Sequence, residues 1–195
     1  MTSNINNPVA YGSSEESNLK IMKDEKIGAI KVYRQDGDLP ILTQNVRKDH
    51  RPYLHPIIAP DGQGNLTEYS PGHHKHQTGL YWGFTRVNGT PIPKEKLSDW
   101  FYVSRHQSTE ISQTVGRDYF HNPGGDHWQL KSASVISSSP RQVEWQTSYN
   151  MFDEDGQTIM VEVQSWSMRL DTGQYILDLQ WKGEAKTDIT INNFP

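Results

Sequence analysis

The sequence predicts an all-β fold, an antiparallel sandwich or barrel, and three observations carry that prediction. Apolar and polar residues alternate with period two through at least five segments, as in strands with one buried face. Turn signals built from Gly, Pro, Asn and Asp recur about every ten to fifteen residues. Six Trp, nine Tyr and five Phe offset an apolar content of only 33%, a composition suited to half-buried pleated faces.

Residues 1 to about 22 are polar, rich in Asn, Ser and Glu, and read as a disordered leader. Residues 23–195 then form one domain, a length within the single-domain range. Strands are expected at 27–34 and 39–46, joined through the hairpin signal Gln35-Asp36-Gly37-Asp38. A third, at 51–58, precedes the turn Pro60-Asp61-Gly62. An aromatic-rich strand at 79–87 runs into Asn88-Gly89, a strong hairpin dipeptide. Only residues 93–100 have the pattern of a helical turn. Strand 130–138 puts Ala133 and Val135 on one face. In the next, Val143, Trp145, Thr147, Tyr149 and Met151 share a face, and the strand stops at Asp153-Glu154-Asp155-Gly156. The strand after it alternates Ile159, Val161 and Val163 with Met160, Glu162, Gln164, Trp166 and Met168. Asp171-Thr172-Gly173 turns into a strand at 175–182, and residues 186–192 begin a last one. That strand has no closing neighbour before Pro195, so a sandwich truncated at its C-terminus, with an unpaired edge and low solubility, is expected.

Composition excludes several functions. A net charge of −4 gives no basic surface for nucleic acid or an anionic membrane. No segment approaches the ~18 apolar residues of a membrane span. The polar N-terminal stretch lacks the apolar region of a signal peptide, so a cytoplasmic location is expected, with the periplasm left open. The absence of cysteine removes disulfides, thiolate metal sites and a cysteine nucleophile.

Five of the eight histidines lie in two glycine- and proline-punctuated runs, Gly72-His73-His74-Lys75-His76 and His121-Asn122-Pro123-Gly124-Gly125-Asp126-His127. Imidazole exchanges a proton or binds a transition metal near neutral pH. If the first run is extended, His74 and His76 point to one side, about 6.5–7 Å apart, and His73 to the other. A turn in the second run folds His121 and His127 together, with Asp126 available to orient a ring. The structural alternatives are a polar loop whose histidines pack against Tyr81 and Trp82, and an ordinary Pro-Gly-Gly loop. Arg51-Pro52-Tyr53-Leu54-His55-Pro56 carries a cation and an imidazole on a segment whose prolines confine it to a sheet edge. Arg86 is a further donor for substrate oxygens. Tyr81, Trp82 and Trp128 can stack on sugar rings, although packing in a core is the commoner fate of a strand Trp. No phosphate loop, dinucleotide fingerprint or nucleophile elbow is present.

Arg51-Pro52-Tyr53-Leu54-His55-Pro56, Ala59-Pro60-Asp61-Gly62 and the stretch from Pro71-Gly72-His73-His74-Lys75-His76 to Tyr81-Trp82 resemble a bacterial family of unknown function often labelled "methane oxygenase PmoA". The resemblance continues through Val87-Asn88-Gly89 and residues 117–128, covering most of 27–195. It implies a galactose-mutarotase-like β-supersandwich and a setting among genes of sugar and polyol breakdown, with no established reaction. Two departures stand out. The 27 residues of segment 90–116 read as an insertion, and family members continue beyond the point equivalent to Pro195. The label carries no chemical weight, because membrane methane oxygenase subunits need transmembrane helices.

Two functions follow. One is an enzyme acting on a carbohydrate or sugar derivative, with His74, His76, His121 and His127 as acid–base groups and Arg51, His55, Arg86, Tyr81, Trp82 and Trp128 binding substrate. The other is a non-catalytic carbohydrate-binding module. No cofactor is required. The alternative is a divalent ion such as zinc on His74, His76 and His121, opposed by the Lys75 ammonium should it turn inward.

Overall fold

The computed structural model describes residues 18–72, 74–91, 114–122 and 125–192, and every regular element among them is a strand. Strands β1 (Leu19–Asp24), β2 (Ala29–Arg34), β3 (Pro40–Asn45) and β4 (Tyr53–Ile57) form one antiparallel sheet in that order. Strands β7 (Trp128–Ser138), β8 (Gln142–Phe152), β9 (Thr158–Asp171) and β10 (Gln174–Ala185) form a second, in the order β10-β9-β8-β7. β5 (Val87–Pro91) and β6 (Thr114–Arg117) make a separate pair.

The alternation dictates how the two sheets close. From β1, β2 and β3 come Leu19, Ile21, Ile30, Val32 and Leu42; from the facing sheet come Ala133, Val143, Trp145, Trp166 and Met168. Together they form one buried cluster, and hydrophobic burial of such a shared face is the main force closing a sandwich. Trp145 and Trp166 are register partners whose rings stack at 6.1 Å and 11°. The Trp145 Nε1–H donates to Gln44 Oε1 on β3 at 3.3 Å, so a polar bond crosses between the sheets. The predicted faces of β8 and β9 pair in register, Val143 with Met168, Thr147 with Gln164 and Tyr149 with Glu162. A second cluster, of Tyr119, Trp128, Tyr149, Met151 and Ile159, continues the core toward one end of the sandwich.

Several details depart from expectation. Among the described residues the first strand starts at Leu19, inside the segment read as a leader, because Leu19 and Ile21 complete the core face of the first sheet. The expected strand at 79–87 is irregular apart from a bridge between Leu80 and Leu54; its aromatics are used in side-chain packing rather than in a ladder. Asn88-Gly89 is no hairpin turn. Asn88, with φ of 51°, lies inside β5, where the register shifts between Val87 and Thr90, so its left-handed backbone forms a bulge. The expected last strand shrinks to one bridge, between Ile191 and Val87, with Asn88 N donating to Thr190 O at 2.8 Å. The helical turn at 93–100 and nearly all of the expected insertion lie outside the described residues.

Candidate functional site

Two loops carry the histidines to a common place. The first is closed by the bridge between Tyr69 and Thr78 and turns on itself, with Ser70 N donating to Gln77 O, His74 N to Pro71 O and Gln77 N to His74 O. It is therefore not extended, as a strand reading assumed; Pro71 and Gly72 break the ladder. His74 and His76 nevertheless meet, their rings edge-on at 5.8 Å. His73 lies outside the described residues.

The second loop is built by Asp118. Its Oδ1 accepts from the backbone N–H groups of Phe120 (3.1 Å) and His121 (2.9 Å), the local turn chemistry that favours aspartate. Its Oδ2 lies 2.5 Å from His121 Nδ1. This contact, with the two backbone bonds to Oδ1, fixes the orientation of the His121 ring. The His121 ring stands 4.5 Å from that of His76, and Phe120 packs beside both. Burial, then the charges of His121, Arg51 and His74, hold the His76 imidazole below its ordinary pKa, with Asp118 acting the other way. His76 therefore favours its neutral, proton-accepting form. Asp118 went unnoticed in the sequence, although an Asp three residues ahead of a turn histidine is the signal that marks it.

The other expected residues scatter. His127 is buried away from this cluster, edge-on to Tyr119 at 5.5 Å, with Nδ1 2.8 Å from Asp126 Oδ1. Arg117 reaches the same carboxylate oxygen at 3.1 Å. Burial, then Arg117, lowers the His127 pKa. His55 sits on β4 with Nδ1 3.0 Å from Thr67 Oγ1. Arg86 is buried just ahead of β5. Trp128 is 2% exposed and packs on Tyr119 and Tyr149, so it presents no face for a sugar; the inward side of β7 claims it for the core. Arg51 is not a surface donor either. It is 1% exposed, with its guanidinium turned to backbone carbonyls and its plane 3.8 Å over the Tyr81 ring. Tyr81 and Trp82 remain half-buried at the rim.

Sequence reasoning passed over one strongly perturbed group. Glu162, on the inner face of β9, is fully buried. Its Oε1 accepts from Gln164 Nε2 at 2.7 Å and its Oε2 from Trp181 Nε1 at 2.8 Å. Burial pushes its pKa up to about 7, against the opposing donors of Trp181, Gln164 and Trp82. Trp181 and Trp82 meet edge-on at 4.3 Å above it. The signal was available: Glu162 and Gln164 interrupt an otherwise apolar row.

Among the described residues no group of three His, Asp or Glu side chains is arranged to hold a metal ion. No described helix is long and apolar enough to cross a membrane. Residues 32–194 match a family of unknown function (DUF6807), and the chain belongs to that family. No curated protein and no solved structure matches it.

Proposed function

We propose that this member of the family acts on a carbohydrate or sugar derivative through histidine acid–base chemistry, as a cytoplasmic protein whose partner is a small polyhydroxylated molecule. The observation that carries the reading is the contact chain Asp118–His121–His76, in which a carboxylate orients one imidazole against a second. Neutral His76 accepts a substrate proton, and that same proton, held on the paired imidazoles of His76 and His121 with Asp118 steadying the second, is returned to the product. General acid–base catalysis of this kind contributes roughly 10²–10⁴-fold. The sugar class is supported by the resemblance of the Arg51–Trp82 region to the family labelled methane oxygenase PmoA, with its galactose-mutarotase-like supersandwich. A methane-oxidising reaction is not part of the proposal. The partly exposed indole of Trp82, packed edge-on against Phe84 and Trp181, gives the binding-module reading its footing.

The test follows the optical rotation of fresh α-D-galactose and α-D-glucose, and the NMR spectra of D-fructose and 3-keto-D-glucose, in the presence of the protein. Turnover that falls about 10²-fold or more in both His76→Ala and Asp118→Asn is the expected result. Turnover indifferent to His76→Ala overturns the proposal. Sugar binding without turnover, lost in Trp82→Ala, makes the protein a binding module instead.

A further inference from the structure

The loops that carry the candidate site converge on one buried cation. Arg51 lies between β3 and β4 and is 1% exposed. Its Nη1 donates at 2.7 Å to the carbonyl of Phe120, the residue before His121. Its Nη2 donates to the carbonyl of His76 itself and lies 3.5 Å from Thr78 Oγ1. The guanidinium plane rests on Tyr81, whose ring packs on Phe120 at 5.1 Å. A guanidinium is flat and rigid, so its two terminal nitrogens hold two carbonyls at a set separation; an ammonium is a point charge without that geometry. The backbone of each histidine loop is therefore referred to the same planar group, and the two rings it brings together stand 4.5 Å apart.

We infer that Arg51 is the positioning residue of the histidine cluster, its forked donation to the His76 and Phe120 carbonyls setting the approach of the His76 ring to the His121 ring. It acts through the loops and touches no substrate. The inference rests on reading that cluster as the functional site, but it is tested without any substrate.

The full chain, labelled with ¹⁵N and ¹³C, supplies the measurement. In the wild type the Arg51 guanidinium N–H signals should be resolved and exchange slowly with water. A nuclear Overhauser contact should join the His76 and His121 rings. In Arg51→Lys and Arg51→Met that ring contact should be lost while the circular dichroism of the sheets is kept. Thr78→Val, which leaves both carbonyl bonds in place, should retain it. A folded Arg51→Lys that keeps the ring contact overturns the inference. So do wild-type Arg51 signals averaged with those of exposed arginines, an outcome that decides the matter even if neither Arg51 variant folds. A protein that turns over no sugar yet shows both wild-type signals refutes the catalytic reading and leaves the clamp standing.

Discussion

Glu162 shows how far one residue can be driven from its usual chemistry. A buried carboxylate disfavours its charged form, and its pKa of about 7 stands above the ordinary 4.5. Between those values the folded chain keeps a proton that the unfolded chain has released. The stabilisation from that proton is fully present below about pH 4.5 and is lost as the pH rises through 7. The loss runs at up to about 1.4 kcal/mol per pH unit. Glu162→Gln mimics the protonated form and removes this dependence. Thermal or urea unfolding of the two proteins from pH 4.5 to 8 should show the wild type weakening relative to the variant until about pH 7, then running parallel to it. Parallel curves across the whole range would mean that Glu162 titrates as an exposed carboxylate does. The residue scale is also where the sequence spoke least. His74, His76 and His121 could be picked out by type and local spacing. That Arg51 faces inward, that Asp118 orients His121 and that His127 stands apart are set by tertiary contacts such as the one between Arg51 and Phe120, 69 residues apart.

At the scale of elements, alternation made β7, β8, β9 and β10 legible, because each runs long enough for period two to be unambiguous. Alternation alone does not say which face is inward. On β9 the row containing Glu162 and Gln164 is the inner one, a choice made by register with Tyr149, Thr147 and Trp145 on β8. The run Leu80-Tyr81-Trp82-Gly83-Phe84 misled for a related reason. Its aromatics fit a strand, but beyond Leu80, which bonds to Leu54 of β4, the carbonyl of Phe84 receives the backbone N–H groups of Tyr119 and Phe120 in a turn rather than a ladder. The partnership of β9 with β10 has a sharper dependence. Gly183 is the register partner of Glu162, and the Trp181 ring lies over it. A Cβ at this position would overlap the Trp181 ring and stand 2.9 Å from Met160 Sδ. Gly183→Ala should displace the indole, remove its bond to Glu162 and cost about 1–3 kcal/mol. The Trp181 indole N–H resonance and the urea midpoint check this together, and an unmoved resonance would show that the strand absorbs the methyl elsewhere.

For the whole molecule, the sandwich separates stability from the candidate chemistry. Two sheets close on an apolar interior, while the histidine cluster is assembled by loops at the edge of β4 and beyond β6, the surface position where functional groups on β scaffolds are commonly carried. The fold class was readable because it rests on pattern, and the site was half readable because it rests on contacts between distant loops. The stacked indoles of Trp145 and Trp166 carry a consequence of another kind, an optical one. Two parallel chromophores 6.1 Å apart, each anchored through its N–H to a glutamine, couple their excited states and turn the closed core into a chiral antenna. The wild type should show an exciton couplet in its ultraviolet circular dichroism that Trp166→Phe erases. Both indoles belong to the same sheet, so the fading of that couplet on heating dates the loss of the β8–β9 pairing, and it should coincide with the loss of the overall strand signal if the sandwich opens as one unit.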